Sequence, residues 1–377
     1  MRIVKLRSNP ISPDPRVEKE AKSLSKAGFE VYALGWDRTG ILPRSEKRGD
    51  FSISRLQIQA KFGSGLMNFP ALFRWQIGLM GWLLRNKKNY EIIHACDFDT
   101  ILPALVMKIF WKKVVIYDIF DFYADHLRKT PKIIKNLIRQ LDFWAINHSD
   151  GVILVDDSRR AQISGSKPKI CVSVYNSPDD LRFSLPHNQQ RGSNSSLRIS
   201  YIGLLQVERG LFELIEVLKN HPNWFLDLAG FGGDEDVILS SIKDMKNVHW
   251  HGRIPYQKAL ELSHESDVLI ATYDPSIPNH RYSSPNKVFE AMMLGKPIIV
   301  AKNTNMDLII EKANCGIIVK YGVIEDLEKA LTLLDENKNL RFKLGENARQ
   351  AYEDTYSWAK MQERLLDLYD QVLSDRK

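Results

Sequence analysis

The sequence predicts an α/β protein built from two doubly wound domains in series. Short β-rich apolar runs alternate with amphipathic helical stretches, a pattern typical of a parallel sheet covered by helices. The alternation occurs twice, on either side of the polar, turn-rich segment PHNQQRGSNSS at residues 186–196. With 377 residues, of which 44% are hydrophobic, the chain is also long enough for two cores.

The first series opens with a β-α-β unit. Val17, Ala21, Leu24 and Ala27 recur at helical spacing between two β-rich runs, which predicts an amphipathic helix joining two strands. Helical material also separates the apolar runs that follow. The strands expected in this domain are Met1–Leu6, Glu30–Leu34, Glu91–Ala95, Val114–Tyr117 and Gly151–Val155.

The second series repeats the alternation, and an amphipathic helix near Trp358–Leu373 ends it. The strands expected here are Arg198–Gly203, Trp224–Ala229, Val248–His251, Val268–Ala271, Pro297–Ala301 and Gly316–Val319. We therefore expect an N-terminal domain at residues 1–186, a linker at 187–197, a C-terminal domain at 198–355 and a C-terminal helix at 356–377. Ligands of open α/β sheets bind beyond the carboxyl ends of the strands, so the functional residues are sought there.

The cysteine content and the apolar runs limit where the protein acts. Cys96, Cys171 and Cys315 are too widely spaced for a disulfide framework or a metal-ligand pair, which favours a reducing cytosol. No signal peptide is expected, because MRIVKLRSNP has no long apolar run. The apolar stretch Ala71–Leu84 is too short to span a bilayer. We expect a cytoplasmic protein that is either soluble or peripheral on the inner face of the membrane.

The net charge of +7 is unevenly distributed. Residues 1–186 hold 30 Lys and Arg against 19 Asp and Glu, a net charge of +11, so the remainder carries −4. This asymmetry suggests that the first domain meets something anionic, either nucleic acid or an anionic membrane. Aromatic and basic residues are mixed in Phe69–Lys88, Phe110–Lys113 and Arg128–Arg139. These segments are interpreted either as helices with a buried and a solvated face, or as a surface that rests on anionic lipid.

The most informative segment is Asn279–Ala301, NHRYSSPNKVFEAMMLGKPIIVA. Ser284 suits an N-cap before the following proline, so a helix should start there with its free N–H groups and positive dipole end facing a ligand. Asn286, Lys287 and Glu290 share one helix face. A cation at a helix start suits a diphosphate, and a carboxylate one turn later suits the two hydroxyls of a ribose. The alternative is an ordinary surface helix with a Lys287–Glu290 ion pair.

The pattern S-P-N-K-x-F-E-A-M-x-x-G-K-P resembles the donor-binding segment of retaining glycosyltransferases of the GT-B fold, glycosyltransferase family 4, also called group 1. The resemblance covers nearly the whole chain. It implies two Rossmann-like domains that face each other across a cleft, with the last helix crossing back onto the first domain. It also implies that the first domain binds an acceptor and the second a nucleotide-sugar.

Other segments of the second domain resemble the family's donor site. Arg209 matches a basic residue that holds the diphosphate, Glu290 matches the ribose-binding glutamate, and the turn at Gly230-Phe231-Gly232-Gly233 lies beside the phosphates. The alternative for Arg209 is a solvated arginine at a helix end. Leu204 and Tyr282 stand where relatives often have Arg and Glu. The donor-binding residues that the resemblance implies are Gly203, Arg209, Gly230, Gly232, Arg253, Ile254, His280, Ser284, Asn286, Lys287 and Glu290.

The first domain carries the acceptor-side candidates. The stretch from His94 to Thr100 resembles H-x-x-D-x-D-T, and Tyr117 to Asp121 resembles Y-D-x-H-E with Phe120 in place of the histidine. The alternative for Asp99 is a structural role, as the cap of a helix that begins at Thr100. Arg16 is a candidate for acceptor phosphate, with a structural role at the helix start as the alternative. The residues implied on the acceptor side are Asn9, Arg16, His94 and Asp97, and those implied in catalysis are Asp118 and Asp121 together with Arg209 and Lys287.

The resemblance implies a metal-independent, retaining hexosyltransferase that moves a sugar from a UDP- or GDP-sugar to a hydroxyl of a saccharide or lipid-linked acceptor in cell-surface polysaccharide or glycoconjugate synthesis. No cofactor, metal site or nucleic-acid partner is expected, since the sequence holds no metal-ligand cluster and no nucleic-acid-binding motif. An anionic membrane surface is the further candidate partner. The alternatives are a sugar-nucleotide epimerase or hydrolase on the same frame, and a non-catalytic basic binding module.

Overall fold

The computed structural model describes residues 1–60, 69–126, 130–185 and 196–376. The chain forms two compact α/β units. The first consists of Met1–Tyr175 and a C-terminal segment that begins at Met361, and the second of Asn176–Lys360. The predicted fold class of two Rossmann-like domains is confirmed. The first unit ends before the predicted domain end at residue 186, and most of the predicted linker at 187–197 lies outside the described residues.

The first unit is built on a sheet in the order β3-β4-β2-β1-β5-β6-β7-β8. All its strand pairs are parallel except β3–β4, which is antiparallel. The strands are β1 (Arg2–Arg7), β2 (Glu30–Asp37), β3 (Ser45–Arg48), β4 (Phe51–Gln57), β5 (Ile92–Cys96), β6 (Val114–Ile119), β7 (Gly151–Leu154) and β8 (Cys171–Ser173). The helices are α1 (Pro15–Lys26), α2 (Phe69–Arg85), α3 (Phe98–Trp111), α4 (Tyr123–His126) and α5 (Lys132–His148).

Helices lie on both faces of this sheet. Parallel strands require right-handed crossovers, and the connections that carry α2, α3 and α5 all advance the sheet in the same direction. These three helices therefore share one face, where α2 contacts α3 and α3 contacts α5. The β1-to-β2 connection advances the opposite way, so α1 lies on the other face. The central strands β5, β6 and β7 are buried along their whole length, as expected for a sheet covered on both sides.

The second unit has a six-stranded sheet in the order β11-β10-β9-β12-β13-β14, and its strand pairs are parallel. The strands are β9 (Arg198–Leu204), β10 (Phe225–Phe231), β11 (Val248–Trp250), β12 (Val268–Ala271), β13 (Ile298–Ala301) and β14 (Gly316–Val319). The helices are α6 (Leu211–Asn220), α7 (Glu235–Ile242), α8 (Tyr256–Glu265), α9 (Asn286–Leu294), α10 (Met306–Ala313), α11 (Ile324–Glu336) and α12 (Lys338–Ala351). The last helix, α13 (Trp358–Ser374), belongs to the first unit from Met361 onward.

Sequence-based strand predictions hold throughout, with ends displaced by a few residues. Three strands were not predicted: the hairpin β3–β4 and the short strand β8. The predicted N-cap of α9 is wrong. Pro285 is the N-cap residue, with extended φ −75° and ψ 143°, and it makes no side-chain capping hydrogen bond. Ser284 precedes this cap, and its carbonyl accepts a hydrogen bond from Asn176 at 3.1 Å.

A buried polar network ties α13 to the first unit. The Nδ1 atom of His94 lies 2.8 Å from the hydroxyl of Tyr369 on α13, while its Nε2 atom lies 3.0 Å from Lys5 and 3.2 Å from Asp118. All four residues are fully buried. Burial and the neighbouring Lys5 ammonium lower the pKa of His94, so the imidazole is neutral at physiological pH. The network therefore depends on the hydroxyl that α13 supplies.

We expect Tyr369→Phe to destabilise the protein by about 1–3 kcal/mol, because it leaves a buried ring nitrogen of His94 without a partner while conserving volume. Urea unfolding followed by fluorescence measures this change. Tyr32→Phe is the matched control, since the Tyr32 hydroxyl contacts Glu30 at the surface and its loss should cost less than about 0.5 kcal/mol. Equal stability of the two variants would contradict the role given to Tyr369.

Candidate functional site

Glycine backbone brings two strand ends of the second unit together. A Cβ atom on Gly230 would lie 1.8 Å from the carbonyl oxygen of Gly203, and one on Gly232 would lie 2.1 Å from that of Leu205. Gly203 and Gly230 have φ values of 157° and 148°. The carboxyl ends of β9 and β10 can therefore approach only because Gly230 has no side chain. The predicted glycines thus lie together at the edge where ligands of such sheets bind.

Arg209 lies at the same edge, just before α6. Its guanidinium stacks 3.9 Å from the ring centroid of Tyr273, the second residue after β12. The backbone turns at Gly210, where φ is 70° and a Cβ atom would lie 2.4 Å from the hydroxyl oxygen of Thr272. Thr272 in turn donates a hydrogen bond to the Arg209 carbonyl at 3.1 Å. The loop is therefore pinned to the end of β12, which fixes the position of the arginine.

The Lys287 ammonium is buried without a hydrogen-bond partner among the described residues. It lies 3.6 Å from the ring centroid of Tyr201 and 5.8 Å from that of Tyr273, so it shares the Tyr273 ring with Arg209. Burial and the nearby Arg209 charge lower the pKa of Lys287 to about 7, against the opposing effect of Glu290. The structure thus brings together two cations at the end of β9.

Glu290 lies one turn after Lys287 on α9. Tyr256, the first residue of α8, lies beside its carboxylate. Burial and the negative charge of Glu290 raise the pKa of Tyr256 well above its ordinary value. A carboxylate beside two cations is suited to accept hydrogen bonds from a vicinal diol.

An aromatic and an arginine lie at the ends of the neighbouring strands. The Arg253 guanidinium is stacked 4.4 Å from the ring centroid of Phe231, whose side chain is exposed. The backbone N–H of Gly230 donates to the carbonyl of Gly252 at 2.9 Å, which holds the two loops together. The predicted site residues Arg253 and Ile254 therefore lie at the same sheet edge as the glycines. The exposed ring of Phe231 adds a flat surface there.

His280 and Arg281 occupy a short turn before α9. His280 is buried, and its Nδ1 atom lies 2.9 Å from the carbonyl oxygen of Asp274. Arg281 donates a hydrogen bond to the carbonyl of Pro275 at 2.9 Å. Both side chains therefore hold the loop between β12 and α9 in place. Asn286 is exposed at the first position of α9.

The carboxyl edge of the first unit holds a separate polar cluster. Asp97, at φ 66°, accepts hydrogen bonds from the backbone N–H of Phe120 at 2.8 Å and of Asp121 at 3.3 Å. Its other oxygen pairs with Arg7, whose guanidinium lies 4.1 Å from the Phe120 ring centroid. Burial and the like charges of Asp99 and Asp121 raise the pKa of Asp97 to about 6, against the opposing effect of Arg7. Asp121 is half exposed and pairs with Arg159 at 2.9 Å.

Three of the predicted acceptor-side or catalytic residues point into the interior instead. Arg16 donates to Asp118 at 2.9 Å and to the Val174 carbonyl at 2.6 Å, and Asp118 also contacts His94. Asp118 and His94 are completely buried and Arg16 nearly so. Direct contact of these side chains with an acceptor does not fit their burial. Asn9 is likewise committed locally, since it donates to Asp14 at 2.7 Å and accepts from the N–H of Ile11.

Within the described residues, one group of side chains has the spacing of a metal site: His94, Cys96 and Asp118. The Lys5 ammonium lies 3.0 Å from the imidazole, and the Arg16 guanidinium already pairs with Asp118. Burial also raises the pKa of the Cys96 thiol well above its ordinary value. Two fixed cations and a protonated thiol oppose the binding of another cation. We therefore regard this group as part of the structural network.

The sequence did not identify four aromatic residues of the second unit's site. Tyr201 and Tyr273 contact the two cations, Tyr256 lies beside Glu290, and Phe231 stacks with Arg253. The sequence Thr272-Tyr273-Asp274 could have indicated Tyr273, because polar residues directly after the buried strand β12 lie at the edge where ligands bind. Tyr201 lies inside a strand and gave no such signal.

Comparison with known proteins shows a family likeness in the C-terminal half of the chain. Residues 187–351 match the model of the group 1 glycosyl transferases. An uncharacterized glycosyltransferase of Methanocaldococcus jannaschii is 22% identical over 187 residues, 48% of this chain and 46% of that protein. An uncharacterized glycosyltransferase of Haemophilus influenzae is 24% identical over 285 residues, 71% of this chain and 76% of that protein. The chain thus spans about half the length of the first relative and about three quarters of the second.

Solved structures share the fold at low sequence identity. Sucrose-phosphate synthase from Thermosynechococcus elongatus aligns with a TM-score of 0.79 and 15% identity over 100% of both chains. Anabaena HepE, solved with UDP and glucose, aligns with a TM-score of 0.71 and 15% identity over 98% of this chain and 99% of its own. The lipopolysaccharide outer core galactosyltransferase WaaB aligns with a TM-score of 0.67 and 14% identity over 100% of both chains. The solved structures thus show that the two Rossmann-like units have the GT-B fold, and the match to the group 1 glycosyl transferases covers residues 187–351.

Proposed function

We propose that this protein is a retaining, metal-independent hexosyltransferase that moves a sugar from a UDP- or GDP-sugar to a hydroxyl of a saccharide or lipid-linked acceptor. The observation that carries the proposal is the buried, unpartnered ammonium of Lys287 beside Arg209 at the carboxyl end of β9. A buried cation without a partner is costly, and an anionic ligand removes that cost. The diphosphate of a nucleotide-sugar has the charge and the size for two such cations.

The difficult step of sugar transfer is departure of the nucleoside diphosphate, because negative charge grows on its β-phosphate. Lys287, Arg209 and the first backbone N–H groups of α9 are positioned to stabilise that charge. Their positions are fixed before the reaction by the Tyr201 and Tyr273 rings and by the Thr272 hydrogen bond. These cations perform the role that a divalent metal has in other transferases, so chelators should leave turnover intact.

The remaining donor contacts follow from the neighbouring side chains. Glu290, beside Tyr256, would accept hydrogen bonds from the ribose hydroxyls. The exposed Phe231 ring, with Arg253 stacked on it, would lie against the base. In a retaining transfer the acceptor hydroxyl attacks on the face that the diphosphate leaves, and the departing phosphate takes the hydroxyl proton.

The relatives support this proposal at the level of chemistry. HepE was solved with UDP and glucose, and WaaB is a galactosyltransferase of the lipopolysaccharide core. We extend a nucleotide-sugar donor and a role in cell-surface polysaccharide or glycoconjugate synthesis to this chain, acting in the cytoplasm. Among the described residues, no helix is both long and apolar enough to cross a bilayer.

A panel of nucleotide-sugars tests the proposal directly. UDP-, GDP-, ADP- and dTDP-sugars are compared with the bare nucleotides by thermal shift on the wild-type protein and on Glu290→Ala. We expect stabilisation by one nucleotide series, lost in the variant. Donor consumed without any acceptor, giving a free or epimerised sugar, would favour a hydrolase or epimerase instead. The absence of any shift would contradict the donor site.

We expect Lys287→Met to lower kcat by about 10²–10³-fold, because it removes one preorganised cation from the developing charge on the β-phosphate. Steady-state kinetics with the donor identified by the panel measures the change. Lys312→Met, on the exposed face of α10, is the matched control and should retain wild-type turnover. Unchanged turnover of Lys287→Met would remove the proposed role, and circular dichroism checks that both variants fold.

We also expect donor binding to be coupled to proton uptake. With a pKa of about 7, Lys287 is mostly neutral at pH 8 in the free protein. The diphosphate favours the charged ammonium and raises this pKa, so binding at pH 8 should take up close to one proton. Calorimetric titration with the nucleotide-sugar in buffers of different ionisation enthalpy measures the number. Uptake should fall towards zero at pH 6, where the lysine is already charged, and should be absent in Lys287→Met.

The same titration affects stability in a defined direction. The folded-state pKa of Lys287 is lowered from 10.5 to about 7, so between these values the unfolded chain binds more protons than the folded protein. The contribution of Lys287 to stability therefore rises with pH through this window and is least favourable below pH 7. Replacing it with methionine should stabilise the protein more at pH 6 than at pH 9.5. A pH-independent difference in melting temperature would contradict the lowered pKa.

A further inference from the structure

Helix α5 of the first unit has two apolar faces. Its inner face packs on the sheet through residues such as Ala145 and Ile146, which are fully buried. Its outer face carries large apolar side chains three or four residues apart, so they form one continuous stripe along the helix. This stripe consists of the exposed residues Ile133, Ile134, Leu137, Leu141 and Trp144. An exposed stripe of this length is unusual on a soluble helix, because the outer face normally holds polar residues.

The two neighbouring helices continue the apolar surface. Phe69, Phe73 and Ile77 lie four residues apart on α2 and are all exposed. Ile109 and Phe110 are exposed at the end of α3, which packs between α2 and α5. Because the inner sides of all three helices cover the same sheet face, their outer sides point in a common direction. We call this common outer surface, formed by these five residues and the α5 stripe, the apolar face.

The charges around the apolar face are almost all positive. Helix α2 contains Arg74 and Arg85 and no carboxylate. On α5, Lys132 and Lys135 alternate with the apolar stripe, and the structure pairs neither with a carboxylate among its described residues. The only acidic residue of α5, Asp142, is buried and accepts a hydrogen bond from Tyr117 at 2.6 Å. The surface therefore combines large apolar side chains with unbalanced cations.

We propose that the apolar face of α2, α3 and α5 docks on an anionic lipid bilayer. Aromatic and aliphatic side chains on one surface, interleaved with lysine and arginine, match the boundary between acyl chains and negatively charged headgroups. A second copy of this chain fits less well, because a two-fold interface would place the same cations against each other. The positive net charge of the first 186 residues agrees with this occupant.

The docked face lies next to the polar edge of the first unit. Helices that follow parallel strands begin at the carboxyl edge of the sheet, so the N-terminal turns of α2 and α5 lie on the side of Asp97 and Asp121. Phe69, Phe73, Ile133 and Leu137 belong to those turns and the next ones. Docking would bring this polar edge, where the acceptor is proposed to bind, to the level of the lipid headgroups. The enzyme would then favour an acceptor carried by a lipid over a free one. This consequence rests on the proposed transferase activity, whereas docking itself does not.

Vesicle flotation tests the docking. The full chain is mixed with vesicles of phosphatidylcholine alone or with about 30% phosphatidylglycerol, without donor or acceptor. We expect flotation with the anionic vesicles only, and at least roughly tenfold weaker partition for Ile133→Ser/Leu137→Ser and for Lys132→Glu/Lys135→Glu. Leu308→Ser/Phe342→Ser is the matched control, since these side chains are 59% and 69% exposed in the second unit. It should float like the wild type.

The remaining outcomes separate this proposal from its alternatives. Failure of the wild-type protein to float, or equal flotation of all variants, would overturn the docking. A concentration-dependent dimer that is lost in Ile133→Ser/Leu137→Ser would assign the face to a second copy of the chain and also overturn it. Nucleotide thermal shifts on the same variants should equal those of the wild type. A missing nucleotide shift with intact flotation would count against the proposed function alone.

Discussion

The proposed donor site depends on the contact between two glycines at the ends of β9 and β10. The backbone of Gly230 occupies the space beside the Gly203 carbonyl in which any side chain would collide. This contact leaves the end of β9 open, and the long side chain of Lys287 crosses it to reach Tyr201. A Cβ atom at Gly203 would lie 3.0 Å from the lysine ammonium, so the glycine also makes room for the charge. Every other donor-side contact is arranged around that cation.

The site stabilises charge with aromatic rings where an ion pair would be simpler. A carboxylate in a direct ion pair with Lys287 would raise its pKa more than Glu290 does, but it would also compete with the proposed phosphate for the same position. Tyr201 and Tyr273 offer ring faces that attract a cation without occupying the place of an anion. Burial of the unpaired Lys287 ammonium lowers the stability of the folded state. The same ammonium remains able to bind the proposed anionic ligand.

The sequence was sufficient where chemistry and position are local. The helix that carries Lys287 and Glu290 is a short segment whose spacing places both residues on one face, whereas Arg209 was singled out through the family resemblance. The sequence could not predict the role of a side chain when that role depends on the direction in which the side chain points. His94 and Asp118 lie in strands, whose successive residues point to opposite faces, and the pattern did not show that both face a buried network. Tyr256 and Glu290 meet only because two helices pack together. The polar strand β3 lacks the apolar alternation by which strands are recognised.

The position of Tyr369 has a consequence for how the chain folds as it is made. The first unit contains the earliest residues of the chain, yet the hydroxyl that completes its buried network belongs to α13. During synthesis, His94 and Asp118 emerge long before their last partner, whereas the second unit has all its strands before α13 is translated. The order in which the two units mature is therefore the reverse of the order in which they begin to leave the ribosome.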